Sequence, residues 1–260
     1  MQRNFDKHQN YYKLYKRKNT PIVFIHGVGL DQKMWFPQIK SFTKNTILTY
    51  DLLGHGKTPL TKNSLNFDDF TIQLNNLLLN LKIKKIHLVG FSFGSLVALN
   101  FTKKYPNKIN KLVLVSTVYK RSKIEKLKVL ERYQKAKNNF SILDQALKRW
   151  LSPKFLRKNV KIKKNIIKTL TKNPIEHDNF LKSYKLFAKV KHNTKEIKSI
   201  KKKSLVITGS KDTGSTVLMS EKLNKDLVNS QFKKIDGAKH LCTIEYSLNV
   251  NMMIKEFLRI

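Results

Sequence analysis

The amino-acid sequence predicts an α/β fold, in which helices cover both faces of a mostly parallel sheet and a helical segment is inserted. Short apolar runs of strand length alternate with helix-length segments in the first 118 residues, and the alternation returns after residue 203. Between residues 119 and 203 the strand-like runs disappear, and apolar residues recur at helical spacing. We therefore expect a core of residues 1–118 and 204–260 and a helical cap of residues 119–203.

The core elements follow from local patterns. Residues 1–20 are basic and polar and predict an edge strand or hairpin. A continuous apolar run, which suits a strand buried on both faces, lies at residues 21–25. Further short strands are predicted at residues 46–50, 86–89, 111–116, 204–208 and 232–235. Helical spacing predicts helices at residues 33–42, 67–81, 216–227 and 250–258, and one that follows the 86–89 strand and ends near residue 104.

The cap is predicted to contain four helices. Their apolar residues recur three or four positions apart, and the breaks fall near Asn138-Asn139, Pro153 and Pro174. This third of the chain holds 27 of its 53 basic residues. A helical layer of that kind, inserted before the last strands, is expected to cover the sheet.

Positive charge is in large excess, with 53 Lys and Arg against 17 Asp and Glu and a net charge of +36. Only seven of the 53 are arginine, the residue that readers of nucleic-acid bases favour for bidentate contacts. Aromatic residues are not interleaved with the basic runs as a stacking surface requires. We therefore expect no nucleic-acid partner. Two explanations of the charge stay open: a compositional bias towards lysine, or attraction to a polyanion, an acidic protein or an anionic substrate.

The cysteine content, the apolar runs and the histidine spacing bear on the compartment and on cofactors. One cysteine, Cys242, excludes an internal disulfide and is typical of a reducing compartment. No apolar run is long enough for a signal peptide or a membrane span. We expect a soluble cytoplasmic protein. Its histidines show no metal-ligand spacing, so we expect no metal and no cofactor.

The stretch Gly90-Phe91-Ser92-Phe93-Gly94 joins the predicted strand at 86–89 to the helix that follows it. A G-x-S-x-G pattern at a strand-to-helix turn is typical of a nucleophile elbow, which presents a serine hydroxyl at the edge of a sheet. Small residues on either side allow the strand and the helix to approach closely. The pattern predicts Ser92 as a nucleophile, although a glycine turn with an ordinary serine would have the same letters.

Asp212 and His240 follow the two later strands, at the carboxyl edge where catalytic groups of open sheets gather. We predict His240 as the base for Ser92 and Asp212 as the carboxylate that orients it. Three alternatives stay open: Asp212 as a helix N-cap, Asp236 as a rival acid, and His240 as a loop residue. The order serine, aspartate, histidine agrees with this architecture.

Donors for an oxyanion are expected at two backbone amides. One is the amide of Phe93, directly after the nucleophile, and the other is that of Val28 in the turn 26–29. A phosphate-binding reading of the second turn is disfavoured, because neither glycine-rich phosphate motif is present.

The chain resembles the α/β-hydrolases that carry H-G-x-G, D-x-x-G-x-G and G-x-S-x-G motifs and a helical cap. These motifs stand at residues 26–29, 51–56 and 90–94, and the likeness runs from Pro21 to the C-terminus. Within that branch it is most similar to 3-oxoadipate enol-lactonase-like and carboxylesterase-like members, through residues 148–155 and 237–241. The resemblance implies that Gly27 and Trp150 bind substrate. Departures at Leu53, Thr58 and Ser95 put the lactonase substrate in question, and Ser92 differs from the aspartate of the dehalogenase branch.

The predicted function is a serine hydrolase that cleaves a carboxylic ester, lactone or thioester through an acyl-enzyme on Ser92. The alternatives are a C–C bond hydrolase with the same three residues, an esterase for carrier-protein methyl esters, and a non-catalytic polyanion-binding protein. The expected partner is a small ester, lactone or thioester, anionic or carrier-bound. The oligomeric state is not determined by the sequence.

Overall fold

The computed structural model describes residues 2–138 and 143–260. In these residues eight strands form one sheet: β1 (Gln2–Phe5), β2 (Tyr11–Tyr15), β3 (Ile22–Ile25), β4 (Ile47–Tyr50), β5 (Ile86–Phe91), β6 (Ile109–Val115), β7 (Ser204–Gly209) and β8 (Ser230–Ile235). Their order across the sheet is β1-β2-β4-β3-β5-β6-β7-β8. The first two strands form the predicted hairpin and pair antiparallel, as β2 does with β4, whereas every later pairing is parallel.

The helices of the core lie between and after these strands. In chain order they are a 3₁₀ turn (Gln32–Trp35), α1 (Phe36–Ser41), α2 (Phe67–Asn80), α3 (Phe93–Lys104) and a second 3₁₀ turn (Pro106–Lys108). Between β6 and β7 lie α4 (Lys123–Asn138), α5 (Leu143–Trp150), α6 (Pro153–Lys158), α7 (Val160–Leu170), α8 (Pro174–Lys189) and α9 (Thr194–Lys198). After β7 come α10 (Val217–Asp226), α11 (Cys242–Glu245) and α12 (Ser247–Leu258). None of the described helices has the length and apolarity needed to cross a bilayer.

The central strands are buried on both faces, which is why their sequences read as continuous apolar runs. Successive residues of β3 point to opposite sides of the sheet: Ile22 and Phe24 enter one apolar cluster, Val23 and Ile25 the other. Helices α2, α3 and α10 pack on the second face, and α12 packs on the first. The sheet is thus the middle layer of three.

The prediction of four cap helices is wrong, since the described residues between β6 and β7 form six. Pro153 begins α6, because the Ser152 hydroxyl accepts a hydrogen bond from the Phe155 amide and proline tolerates the first helical turn. Asn193 caps the short helix α9 in the same way. Helix α4 ends at Asn138, and Asn139, the other half of the predicted break, lies outside the described residues.

The helix predicted at residues 33–42 is divided at its first turn. Pro37 has no N–H to donate to the carbonyl four residues earlier, and the Phe36 amide bonds to the Lys33 carbonyl in a 3₁₀ pattern. The remaining core elements lie within a few residues of their predicted positions.

A pH-dependent stability is expected from His87, the second residue of β5. Burial and the nearby positive charge of Lys111 lower the pKa of His87 to about 4, from an ordinary value of 6.5. Between those values the unfolded chain binds a proton that the folded chain does not. The free energy of unfolding should therefore fall as pH drops from about 6.5 to about 4, by up to about 1.4 kcal/mol per pH unit for this histidine.

Urea unfolding at several pH values measures this slope. His87→Gln should reduce this slope by the contribution of one histidine, and the part due to the other histidines whose pKa is lowered by burial should remain. His8→Gln, which changes an exposed histidine, should leave the slope unchanged. An identical slope in His87→Gln and the wild type would contradict the assignment.

Candidate active site

The turn from β5 into α3 holds Ser92 in a strained conformation. Its φ is +54° and its ψ −114°, a region that residues with a side chain seldom adopt. The Ser92 amide donates to the Val115 carbonyl oxygen at 2.8 Å, so the turn is tied to the neighbouring strand β6. The hydroxyl stands at the carboxyl edge of the sheet, as the G-x-S-x-G pattern predicts.

Glycine is required on both sides of this serine. A Cβ on Gly90 would lie 2.5 Å from the Gly94 carbonyl oxygen, and one on Gly94 would overlap the Ile25 carbonyl oxygen. Helix α3 therefore begins almost in contact with the backbone of β3. The Ser95 hydroxyl donates to the Gly90 carbonyl oxygen at 2.7 Å, which closes the turn from the helix side.

Ser92, His240 and Asp212 form a chain of hydrogen bonds. The His240 Nε2 atom lies 3.1 Å from the Ser92 hydroxyl, and the His240 Nδ1 atom lies 2.7 Å from Asp212 Oδ2. A carboxylate can only accept, so Nδ1 carries the proton and the Nε2 lone pair faces the serine. This is the tautomer in which the imidazole can take the hydroxyl proton. All three side chains are buried.

Hydrogen bonds to the second carboxylate oxygen of Asp212 fix the orientation of its side chain towards His240. Asp212 Oδ1 accepts from the amides of Gly214 at 2.8 Å and Ser215 at 2.9 Å. The N-cap of α10 is Thr216, so the helix-cap alternative for Asp212 is not what the structure has. The rival acid Asp236 has a side chain that is 85% exposed, and it pairs with Lys234.

His240 is also supported from its backbone. The Ser116 hydroxyl donates to the His240 carbonyl oxygen at 2.9 Å. Ser116 directly follows β6, a position from which a carboxylate could otherwise have reached His240. The sequence has no carboxylate there, and the Ser116 hydroxyl fixes the loop that carries His240. Cys242 is fully buried beside it, and burial raises the pKa of this thiol to about 12.

The turn after β3 brings the predicted Val28 amide to the same edge. The Leu30 amide donates to the Gly27 carbonyl oxygen at 3.2 Å, and Gly29 adopts a φ of +78° that glycine permits. Phe93, which carries the other predicted donor, is the first residue of α3, and its N–H has no acceptor within the helix. Val28 and Ser92 line one cavity.

A hydrogen-bonded platform joins this turn to the loop after β4. His26 Nε2 accepts from the Leu52 amide at 2.9 Å, and His26 Nδ1 donates to the Gly27 carbonyl oxygen at 2.8 Å. Asp51 accepts from the amides of Gln32 and Lys57, each at 2.9 Å. Burial lowers the pKa of His26 and raises that of Asp51. The His26 and Asp51 side chains thus position loops, and the hydrogen bonds of the described residues do not link either of them to Ser92.

A cavity opens above Ser92 and His240. Both predicted substrate-binding residues line it: Gly27 lies against Phe91, and the Trp150 ring centroid is 6.1 Å from that of His240. Apolar and aromatic side chains form most of the remaining wall, namely Leu30, Phe91, Leu170, Phe180, Tyr184 and Phe187.

Arg132 and Arg149 also line this cavity, and sequence reasoning missed them. Nothing local marks these two among 53 basic residues, because packing alone decides which side of a helix faces the site. Within the described residues, no group of three or more His, Cys, Asp or Glu side chains is placed to hold a metal ion.

Comparison with known proteins gives the same fold. Residues 20–245 match the family model of the alpha/beta hydrolase fold. The chain is 24% identical over 243 residues to the (E)-2-((N-methylformamido)methylene)succinate hydrolase of Acinetobacter baylyi, covering 93% of this chain and 91% of that protein. It is 27% identical over 230 residues to 3-oxoadipate enol-lactonase 1 of the same organism, covering 88% and 85%. The solved enol-lactonase of Burkholderia xenovorans has a TM-score of 0.87 at 20% identity, covering 96% and 97%. The predicted fold class and resemblance are confirmed.

Gly94→Ala is expected to destabilise the protein by about 2 kcal/mol or more, because the added methyl group would overlap backbone atoms that cannot move independently. Chemical denaturation measures the loss. Gly214→Ala is the matched control: its added Cβ would have Asp212 Oδ1 as its nearest neighbour, at 3.5 Å, and stability should change by less than about 0.5 kcal/mol. Equal stability of the two variants would contradict the role given to Gly94.

Proposed function

The chain belongs to the α/β-hydrolase fold family, and we propose that it is a serine hydrolase that acts on a carboxylic ester, lactone or thioester. The observation that carries this proposal is the chain of hydrogen bonds from Ser92 through His240 to Asp212, at the base of a cavity. A protein that only bound polyanions would have no use for such a chain. The family supports hydrolysis, and the three side chains support its mechanism.

Acylation would begin when the Ser92 oxygen attacks the carbonyl carbon of the substrate. The hydroxyl proton passes to His240 Nε2, and Asp212 stabilises the imidazolium that forms. The amides of Val28 and Phe93 would donate to the oxyanion, and each such donor is typically worth about 10²–10³ in turnover. His240 then returns its proton to the leaving oxygen or sulfur as the bond to the acyl carbon breaks, which leaves an ester on Ser92.

Deacylation repeats these steps with water. His240 Nε2 takes a proton from water as the water oxygen attacks the acyl carbon, and the Ser92 oxygen leaves with that proton. The products are a carboxylic acid and free enzyme. No step draws on a metal or an organic cofactor.

The names of two relatives bear on the class of substrate. Two relatives are named for hydrolysis of a substituted succinate and of an enol-lactone, and both names contain carboxylate-bearing skeletons. A small anionic or carrier-bound ester, lactone or thioester agrees with these names and with the basic cap. A C–C bond hydrolase would use the same three side chains, and only the substrate that is cleaved would distinguish it from an ester hydrolase.

Ser92→Ala should lower kcat on a short para-nitrophenyl ester by about 10⁴-fold or more, since it removes the atom that forms the acyl-enzyme. It should also abolish covalent labelling by a fluorophosphonate, read as a mass shift of the intact protein. Ser95→Ala is the control: this nearby hydroxyl donates to backbone carbonyls, so the variant should still be labelled. Labelling or full turnover by Ser92→Ala would refute the mechanism.

Asp212→Asn should lower kcat by about 10⁴-fold on the same ester, because an amide N–H facing Nδ1 favours the wrong tautomer of His240. The amide oxygen can still accept from Gly214 and Ser215, so folding should be preserved. Asp236→Asn, at the exposed rival acid, should retain wild-type turnover. A loss confined to Asp236→Asn would reverse the assignment of the two acids.

A further inference from the structure

Two arginines in the cavity have no task in the proposed hydrolysis. Arg132 comes from α4 and Arg149 from α5, and both are half-buried and line the cavity with Ser92 and Trp150. Among the described residues, neither guanidinium forms an ion pair with a carboxylate. Each therefore brings to the cavity wall a positive charge that no described carboxylate pairs with.

The lining holds little negative charge to balance them. Asp212 is the single carboxylate among the described residues that line the cavity, and its oxygens already bond to His240 and to two backbone amides. Burial, followed by the repulsion of Arg132, lowers the pKa of Arg149. Like charges that are partly removed from water repel more strongly than charges on the surface. An anion between the two guanidinium groups would relieve this repulsion.

A third arginine, Arg121, differs from these two because its guanidinium group is bound by the protein itself. Arg121 is buried, and its Nη1 donates to the Phe187 carbonyl oxygen at 3.0 Å, near the C-terminus of α8. Its guanidinium also lies over the Phe187 ring, 4.5 Å from the ring centroid. Arg121 thus holds one wall of the cavity in place. Arg132 and Arg149 have no such hydrogen bond to the described protein, which leaves them available to a ligand.

We propose that Arg132 and Arg149 form a carboxylate subsite, so that the substrate is an ester, lactone or thioester that also carries a free carboxylate group. This inference rests on the proposed function and adds its substrate class. Guanidinium groups fit a carboxylate because two parallel N–H donors match its two oxygens. The apolar wall between the arginines and Ser92 suits a short hydrocarbon spacer. The exposed lysines do not serve this purpose, since salt screens them and they do not reach the cavity.

Matched esters test the subsite. The first pair is mono-para-nitrophenyl adipate and its methyl-capped diester, with the carboxylate on the acyl side. The second pair is para-acetoxybenzoate and its methyl ester, with the carboxylate on the leaving group. For each pair the ratio of kcat/KM for the charged over the neutral ester is measured, after subtraction of spontaneous hydrolysis. The wild type should prefer the charged ester in at least one pair.

Arg132→Gln and Arg149→Gln should each lower that ratio at least tenfold, mainly through KM. The controls are Lys128→Gln and Lys148→Gln, which remove one exposed positive charge from the same two helices and should keep the wild-type ratio. Arg149→Lys keeps the positive charge but loses the two parallel N–H donors of the guanidinium group. Its ratio should therefore lie between those of the wild type and Arg149→Gln. Equal ratios in the wild type and both arginine-to-glutamine variants would overturn the subsite.

Adipate binding to Ser92→Ala, followed by calorimetry, separates this inference from the proposed hydrolysis. Binding that is weakened at least tenfold by adding Arg149→Gln supports the subsite even when no ester is hydrolysed. Hydrolysis of the neutral esters without any preference for charge, together with no adipate binding, would leave the proposed function standing and remove the subsite.

Discussion

The near-contact of α3 with the backbone of β3 is the constraint on which the active site depends. Gly94 can lie against the Ile25 carbonyl because it has no side chain, and Gly90 allows the helix to turn back over its own strand. That approach forces Ser92 to a positive φ, and the bonds from its amide and from the Ser95 hydroxyl offset the strain. The same turn leaves the Phe93 amide at a free helix end, beside the turn that contains Val28.

The loops at this edge are positioned by buried polar side chains that form hydrogen bonds to the loop backbone. His26 links the turn after β3 to the loop after β4. Asp51 accepts hydrogen bonds from the backbone amides of Gln32 and Lys57. His55 is buried beside His26, and burial lowers its pKa well below the ordinary value. Burial favours the neutral form of both histidines: His26 donates through Nδ1 and accepts through Nε2, whereas His55 Nδ1 lies 3.0 Å from the Leu53 carbonyl oxygen. These motifs keep the shape of the site, while the proposed chemistry is assigned to Ser92, Asp212 and His240.

The charge of the molecule has two parts with different physical consequences. Most of the +36 comes from lysines, many of them on exposed faces, where water and salt weaken their field. Arg132 and Arg149 sit in a partly enclosed cavity, where a charge interacts more strongly with whatever enters. In the proposed subsite, two positions among 53 act on substrate choice, and net charge is a poor guide to them.

The sequence by itself determined the features that depend on neighbouring residues. A continuous apolar run predicted β3 because a strand buried on both faces has no polar side. Gly90, Ser92 and Gly94 marked the turn after β5 because its steric requirements are local. The tertiary structure decided the contacts made between distant segments. It placed Asp212 Oδ2 2.7 Å from His240 Nδ1 and left the Asp236 side chain exposed beside Lys234. It also divided the segment between β6 and β7 into six helices where spacing predicted four. It also placed Arg132 and Arg149 in the wall of the cavity that Ser92 lines, since the face that a helix buries depends on the surfaces against which it packs.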